Sequence, residues 1–209
     1  MSLLNAGVFD GGDASRTAAS QIADQVKSSP AGFPAGDVTS LADALRDGAK
    51  GTAAKREGAC VVVETVAREA RAAAEHQTTA LVGHLLRCCA DKHSKETQTA
   101  ASAAMDALAR TMSAHGLRAV LPALLDAMDP KEKWQTMVGA LRFLAVFAQC
   151  SPTSTSEALN DVIPVVTQMV NDSKEEVSVA ARECLSKICE SIDNRDVEPF
   201  IPALVSATI

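Results

Sequence analysis

Apolar residues recur every three or four positions through most of the chain, and this spacing predicts amphipathic α-helices. Short polar segments that contain Asp separate one apolar series from the next. Two consecutive series show the spacing clearly: Val162, Val165, Val166 and Met169, then Val177, Ala180, Ala181, Cys184, Leu185 and Ile188. Since each helix would carry a wide apolar face, the pattern predicts an all-α protein whose helices must stack to bury those faces.

The apolar segments also repeat along the chain with a period of about forty residues. Their first residues, at spacings of 40, 40, 42 and 38, are Leu41, Leu81, Leu121, Ile163 and Ile201. Proline follows directly in three of the five segments, and a turn with Asp and Lys follows each of the four complete segments. Such units resemble HEAT repeats, antiparallel helix pairs that stack into an α-solenoid.

The repeat pattern sets the expected domain boundaries. A HEAT-repeat domain is predicted over 13–209, after a disordered segment at 1–12. It should hold one helix at 13–28, four full repeats, and the first helix of a fifth unit from about 196. The predicted repeats cover 37–73, 77–113, 116–150 and 156–191. Because the last residues lie inside a helix pattern without a polar cap, the chain is expected to be a fragment of a longer protein.

Composition fits this architecture and limits the partners. Apolar types make up 47% of the residues but aromatic types only 3%, which favours close helix packing over a sheet sandwich. The formal charge of −6 opposes binding of DNA or bare RNA through bulk electrostatics, so any RNA contact must be local. Nothing in the sequence indicates an oligomer.

The cellular setting follows from hydropathy and cysteine placement. No apolar run reaches 18 residues and no signal sequence is visible, so a membrane partner is not expected. All six cysteines lie inside apolar helical patterns rather than in a disulfide framework. These features predict a soluble, cytoplasmic protein.

Three segments carry a resemblance to a known family. They are "KWQTMVGALRFL", "LNDVIPVVTQMVNDSKEEVSVAARECLSKICESIDNRDVEPFIPAL" and, most specifically, "SIDNRDVEPFIPALV". In content and order they resemble the HEAT region of translation elongation factor 3. The likeness is strong over 117–209, looser over 37–113 and slight over the first 36 residues. A related HEAT region occurs in the scaffold that activates the starvation-responsive initiation-factor kinase.

The resemblance implies a function in translation. In elongation factor 3, two ATP-binding cassettes power release of deacylated tRNA from the ribosomal exit site, and the HEAT region docks on the small subunit. This chain has no GxxxxGK[ST] motif, so it is expected to be a non-catalytic docking module without cofactor. ATP and Mg²⁺ are expected only in the cassettes of the parent, and ribosomal proteins and rRNA are the implied partners. A protein-only scaffold is the alternative.

Basic residues at the predicted turns are the candidate contact surface. Stacked repeats place such turns along one edge, where single lysines could contact an RNA backbone. The alternative is that these charges are simply solvated beside the neighbouring Asp and Glu. The candidates are Lys50, Lys55, Arg56, Lys92, Lys95, Lys131, Lys133 and Lys174.

Two other features favour architecture over chemistry. Trp134, the only tryptophan, begins a second helix, where packing or turn positioning is favoured over partner contact. His84, Cys88, Cys89 and His93 have zinc-ligand chemistry, but Cys88 and Cys89 diverge by about 100° on one helix, which favours burial of the thiols. No catalytic residue and no metal ligand is predicted.

Overall fold

The computed structural model describes residues 3–4, 6–29, 32–191 and 201–206. Within these ranges all regular secondary structure is helical, which confirms the predicted all-α class. The α-helices are α1 (Gly12–Ser28), α2 (Ala35–Arg46), α3 (Ala53–Glu69), α4 (Glu75–Thr79), α5 (Val82–Cys88), α6 (Lys95–Thr111), α7 (Ala114–Ala127), α8 (Trp134–Cys150), α9 (Pro152–Met169), α10 (Glu175–Ser191) and α11 (Ile201–Ser206). Short 3-10 helices span Ala6–Phe9, Lys50–Thr52 and Arg71–Ala73.

The chain divides into two compact units, residues 1–112 and 113–209. The first contains α1, the pair α2 and α3, and the second pair, whose first member is divided into α4 and α5 and whose second member is α6. The second unit contains the pairs α7 with α8 and α9 with α10, followed by α11, which contacts α9. No helix in the described ranges combines the length and apolar character needed to cross a lipid bilayer.

Helix α3 is the centre of the first unit. It packs between α1 and α6, and α2 covers it together with α5. Gly58 makes a close approach possible, because a Cβ at this position would overlap the carbonyl oxygen of Val8. The hydroxyl of Ser15 donates a hydrogen bond of 2.7 Å to the same carbonyl. Residues 1–12 carry the prediction of disorder; among those described, the 3-10 helix Ala6–Phe9 packs on α3, and Val8 is fully buried.

The first helix of the second predicted repeat is interrupted. Helix α4 ends at Thr79 and α5 begins at Val82, although the sequence predicts a single helix in this region. The hydroxyl of Thr78 donates to the carbonyl groups of Ala74 and Glu75, and that of Thr79 donates to His76. Such local side-chain bonds compete with continuous helix and are typical of bends in it.

The second unit has the more regular pairs. Helix α10 packs against both α8 and α9. Pro122 and Pro164 lie inside α7 and α9, at the positions where the sequence predicts proline in the first helix of a pair. On α8, the rings of Phe143 and Phe147 stack with a centroid distance of 6.2 Å, and both are buried.

Candidate functional site

The same turn closes all four helix pairs. In each, the side chain of an Asp accepts a hydrogen bond from the backbone N–H two residues later, which ends the first helix and sets the start of the second. The bonds join Asp47 to Ala49 (3.1 Å), Asp91 to His93 (2.7 Å), Asp129 to Lys131 (2.8 Å) and Asp172 to Lys174 (2.8 Å). We call residues 47–50, 91–95, 129–133 and 172–174 the aspartate turns.

All seven candidate lysines are exposed on these turns or just after them. Six of them form no ion pair with any described carboxylate: Lys50, Lys55, Lys92, Lys95, Lys131 and Lys174. Most other basic residues do form ion pairs: Arg16, Lys27, Arg46, Arg56, Arg68, Arg110, Arg118 and Lys187. The turn Asp side chains are engaged by backbone N–H groups, so they leave these ammonium groups to solvent or to a partner.

Arg56 requires a correction, because the sequence grouped it with the surface candidates. Its side chain is 1% exposed and forms an ion pair of 2.6 Å with Asp91. The guanidinium also donates to the carbonyl groups of Asp47 and Ala49 and to the hydroxyl of Thr52. Arg56 lies one residue after the exposed Lys55, and the rotation of about 100° per residue along α3 turns it inward. It cannot contact a partner directly.

Arg56 instead joins two of the aspartate turns. It binds the backbone of turn 47–50 and the carboxylate of turn 91–95, so both turns lie at the same end of the first unit. Lys50, Lys92 and their neighbours therefore share one surface. In the second unit, turns 129–133 and 172–174 precede α8 and α10, which pack against each other.

The environment of Asp91 keeps it ionised. Burial by itself would raise the pKa of Asp91, but the N–H of His93, the Arg56 guanidinium and the N–H of Ser94 together lower it below its ordinary value. The hydroxyl of Ser94 in turn accepts a hydrogen bond from the N–H of Thr97 and caps α6. The turn is thus ordered by charge and by capping at once.

Sequence reasoning missed three side chains beside the turns of the first unit. Arg46 directly precedes Asp47 at the end of α2, and His84 and Arg87 lie on α5. Nδ1 of His84 is 2.6 Å from Nη2 of Arg87. Burial lowers the pKa of His84, and the charges of Arg87 and Arg46 lower it further, so the imidazole is held neutral. The available signal was the position of both arginines in the last turn of a first helix.

The residues with zinc-ligand chemistry do not form a metal site. Across the described ranges, no three His, Cys, Asp or Glu side chains are grouped so that they could hold a metal ion. Cys88 and Cys89 are buried, whereas His93 is exposed on its turn.

Trp134 is the first residue of α8 and is half-buried. Trp134→Ala should lower the free energy of unfolding by about 1–2 kcal/mol, less than the roughly 3–5 kcal/mol typical of a buried aromatic residue. Urea unfolding followed by circular dichroism measures the change, since the variant has neither Trp nor Tyr to report by fluorescence. Trp134→Phe, the control, should retain most of the stability. A loss above about 3 kcal/mol for the alanine variant would show that the indole packs far more completely than its exposure indicates.

Comparison with known families decides what this array of helix pairs belongs to. The family model for the EF3 N-terminal HEAT repeat matches residues 15–185. The chain belongs to this family. The match includes residues 15–36, where sequence analysis found little resemblance, and it confirms the resemblance to elongation factor 3 elsewhere.

Curated relatives include both proteins that the sequence resembles. Elongation factor 3 of Phytophthora infestans is 46% identical over 87 residues, which are 42% of this chain and 8% of that protein. Elongation factor 3 of Gonapodya prolifera is 34% identical over 151 residues, 72% of the chain and 14% of the relative. The stalled ribosome sensor GCN1 of Homo sapiens is 31% identical over 170 residues, 81% of the chain and 6% of the relative. The chain thus spans less than a fifth of each of these proteins.

Solved structures support the architecture. Kap121p has a TM-score of 0.59 at 16% identity over 93% of the chain and 19% of its own length. A designed armadillo repeat protein in complex with the peptide (KR)4 has a TM-score of 0.54 at 17% identity over 93% of this chain and 82% of its own. At these identities the likeness concerns the fold alone, and it confirms a solenoid of HEAT or armadillo type.

Proposed function

We propose that the chain is the ribosome-docking HEAT module of an elongation factor 3-like protein and acts in the cytoplasm. ATP-binding cassettes in the parent would bind ATP and Mg²⁺ and drive release of tRNA from the exit site. Membership of the EF3 N-terminal HEAT repeat family supports this assignment. So do relatives named as an elongation factor and as a stalled ribosome sensor.

One observation carries the docking proposal: the turn lysines lack ion pairs while the turn carboxylates are engaged by backbone N–H groups. A lysine near the amino end of a helix is disfavoured by the helix dipole. Lys95, for example, is the first residue of α6, and Lys174 directly precedes α10. An anionic partner such as an rRNA phosphate would offset that repulsion and use a side chain that no described carboxylate neutralises.

The distribution of charge fits a partner made of both RNA and protein. The first unit has 12 basic and 13 acidic residues, a formal charge of −1. The second has 8 basic and 13 acidic residues, a formal charge of −5. A near-neutral unit with lysines on one end permits local phosphate contact, and a strongly acidic unit is complementary to basic ribosomal proteins.

Charge reversal at one lysine per turn tests the docking surface. The variant Lys50→Glu, Lys92→Glu, Lys131→Glu and Lys174→Glu should bind small ribosomal subunits at least about tenfold more weakly. Each lost phosphate contact should also reduce the slope of log affinity against log salt by roughly one. Co-sedimentation over a salt series measures both quantities, and circular dichroism verifies the fold.

The matched control reverses four basic residues away from the turns: Lys27, Arg110, Arg142 and Lys187. It has the same net charge and the same number of changes in each unit. If both variants lose affinity equally, bulk charge rather than the turn surface governs binding. Unchanged affinity and salt slope in the turn variant would remove the aspartate turns from the docking surface.

A protein-only scaffold is the second candidate function. The observation that favours it is the match to GCN1, which covers more of this chain than the matches to elongation factor 3 described above. Under this alternative the turn lysines are solvated and the acidic second unit recruits a basic protein. Affinity for purified partner proteins that exceeds affinity for ribosomal subunits, with little salt dependence, would favour the scaffold.

A further inference from the structure

Three cysteine side chains meet inside the first unit. Cys60 lies on α3, Cys88 is the last residue of α5, and Cys89 follows it; all three are buried. The thiol groups of Cys60 and Cys88 are hydrogen-bonded to each other across the two helices. The proposed docking function gives this contact no role.

An unsatisfied cationic group lies next to the thiol groups. Nη2 of Arg56 is buried and has no hydrogen-bond partner among the described residues, although the other guanidinium nitrogens are engaged. Arg56 precedes Cys60 by one helical turn on α3, and its charge acts on both Cys60 and Cys88. A sulfur that gains negative charge would therefore meet a donor that now has no acceptor.

The environment separates the two thiol groups into different roles. The hydrogen bond from Cys60 lowers the pKa of Cys88, and the charges of Arg56 and Arg87 lower it further against burial. The same hydrogen bond and burial raise the pKa of Cys60. Cys184, which is buried without such neighbours, has its pKa raised to about 12 by burial alone. Since a thiolate is the form that reacts, Cys88 is the attacking sulfur and Cys60 the sulfur that responds.

We propose that Cys60 and Cys88 form a peroxide-sensitive thiol pair that closes into a disulfide between α3 and α5. The thiolate of Cys88 attacks hydrogen peroxide, which forms a sulfenic acid and releases hydroxide. The thiol of Cys60 then attacks that sulfur, an S–S bond forms, and the oxygen leaves as water. Two electrons pass from the thiol pair to one peroxide.

The local fold gives peroxide a route to the buried sulfur. Helix α5 has seven residues, is separated from α4 by a bend, and ends at Cys88. Such short elements open at a lower free energy than the core helices. Asp91, the partner of Arg56, is three residues beyond Cys88, so a disulfide would tie α5 to α3 beside the joined turns 47–50 and 91–95.

Peptide mapping of the oxidised wild-type chain tests the pair. The protein is treated with hydrogen peroxide, blocked with N-ethylmaleimide, and digested without reductant for mass spectrometry. We expect the major intramolecular disulfide to join Cys60 to Cys88, with Cys184 remaining reduced in the same sample. If Cys60 and Cys88 stay as reduced as Cys184, or if the major link uses Cys89, the proposal is wrong.

Trapping the intermediate tests the separate roles. In Cys60→Ser, Cys88 should accumulate as a sulfenic acid and react with dimedone at least about tenfold more than Cys184 in the same chain. In Cys88→Ser, Cys60 should yield no comparable adduct. Circular dichroism verifies that both variants are folded, and the wild-type map does not depend on either. Equal dimedone labelling of Cys60 and Cys88 in the two variants would contradict the assigned order.

Discussion

Arg56→Met should lower the free energy of unfolding by about 3–5 kcal/mol, since it leaves the carboxylate of Asp91 buried without its cationic partner. The Asp91 side chain is 6% exposed. The substitution also removes the donor to the carbonyl groups of Asp47 and Ala49. Because Met keeps much of the volume of Arg, the loss reports charge and hydrogen bonding rather than a cavity.

Urea unfolding followed by circular dichroism measures this loss, and a second ion pair on the same helix supplies the control. Arg68 pairs with Glu64 at 2.9 Å, but its side chain is 59% exposed. Arg68→Met should therefore cost less than about 1 kcal/mol. The double variant Arg56→Met with Asp91→Asn should lose less than the sum of the single variants, because the uncompensated charge is gone. Equal losses for Arg56→Met and Arg68→Met would rule out a buried pair.

The pair also sets the acid limit of its own contribution. The pKa of Asp91 is lower in the folded chain than its ordinary value of 3.8, so the contribution is complete at neutral pH. It is lost only as the pH falls below that ordinary value and through the folded pKa.

Gly58→Ala should lower the free energy of unfolding by roughly 2–3 kcal/mol, because the new methyl group would overlap the carbonyl oxygen of Val8. The clash is with backbone, and Ser15, whose hydroxyl also lies close to the position of the added Cβ, holds that carbonyl by a hydrogen bond of 2.7 Å. Alanine has the better helix propensity by about 1 kcal/mol, so the observed loss is the steric cost after that gain.

Gly36→Ala is the matched control on another helix. Gly36 lies in the first turn of α2, and a Cβ there meets no atom within 4 Å. The substitution should be neutral or stabilise the chain by up to about 1 kcal/mol. Denaturant titration of both variants distinguishes the two positions. A neutral or stabilising Gly58→Ala would show that the segment around Val8 does not pack on α3 as described.

Helix periodicity was sufficient to predict the helix pairs, since apolar spacing and the local chemistry of Asp are both readable within one repeat. The hydrogen bonds of Asp129 and Asp172 to the second following N–H need only neighbouring residues. The bend between α4 and α5 was not predicted, because Thr78 and Thr79 have ordinary helical alternatives and only the folded chain selects their backbone bonds.

The candidate surface was predictable only in part. Lys55 and Arg56 are adjacent basic residues on one helix, and nothing local distinguishes the exposed one from the buried one. The distinction arises from Asp91, which is 35 positions away and reaches Arg56 only when α3 and α6 pack in register. The Cys60–Cys88 contact likewise joins different repeats. Interactions of this kind depend on tertiary stacking, which periodicity predicts as a class but not residue by residue.

Amide hydrogen exchange of the chain with and without purified small ribosomal subunits tests the docking proposal most directly. Docking through the aspartate turns predicts slower exchange at 47–56, 91–97, 129–136 and 172–178 when subunits are present. The loops at 113–117 and 150–157 should exchange at unchanged rates. Protection confined to those two loops would assign docking to another edge, and equal exchange throughout the chain at saturating subunit concentration would contradict ribosome docking itself.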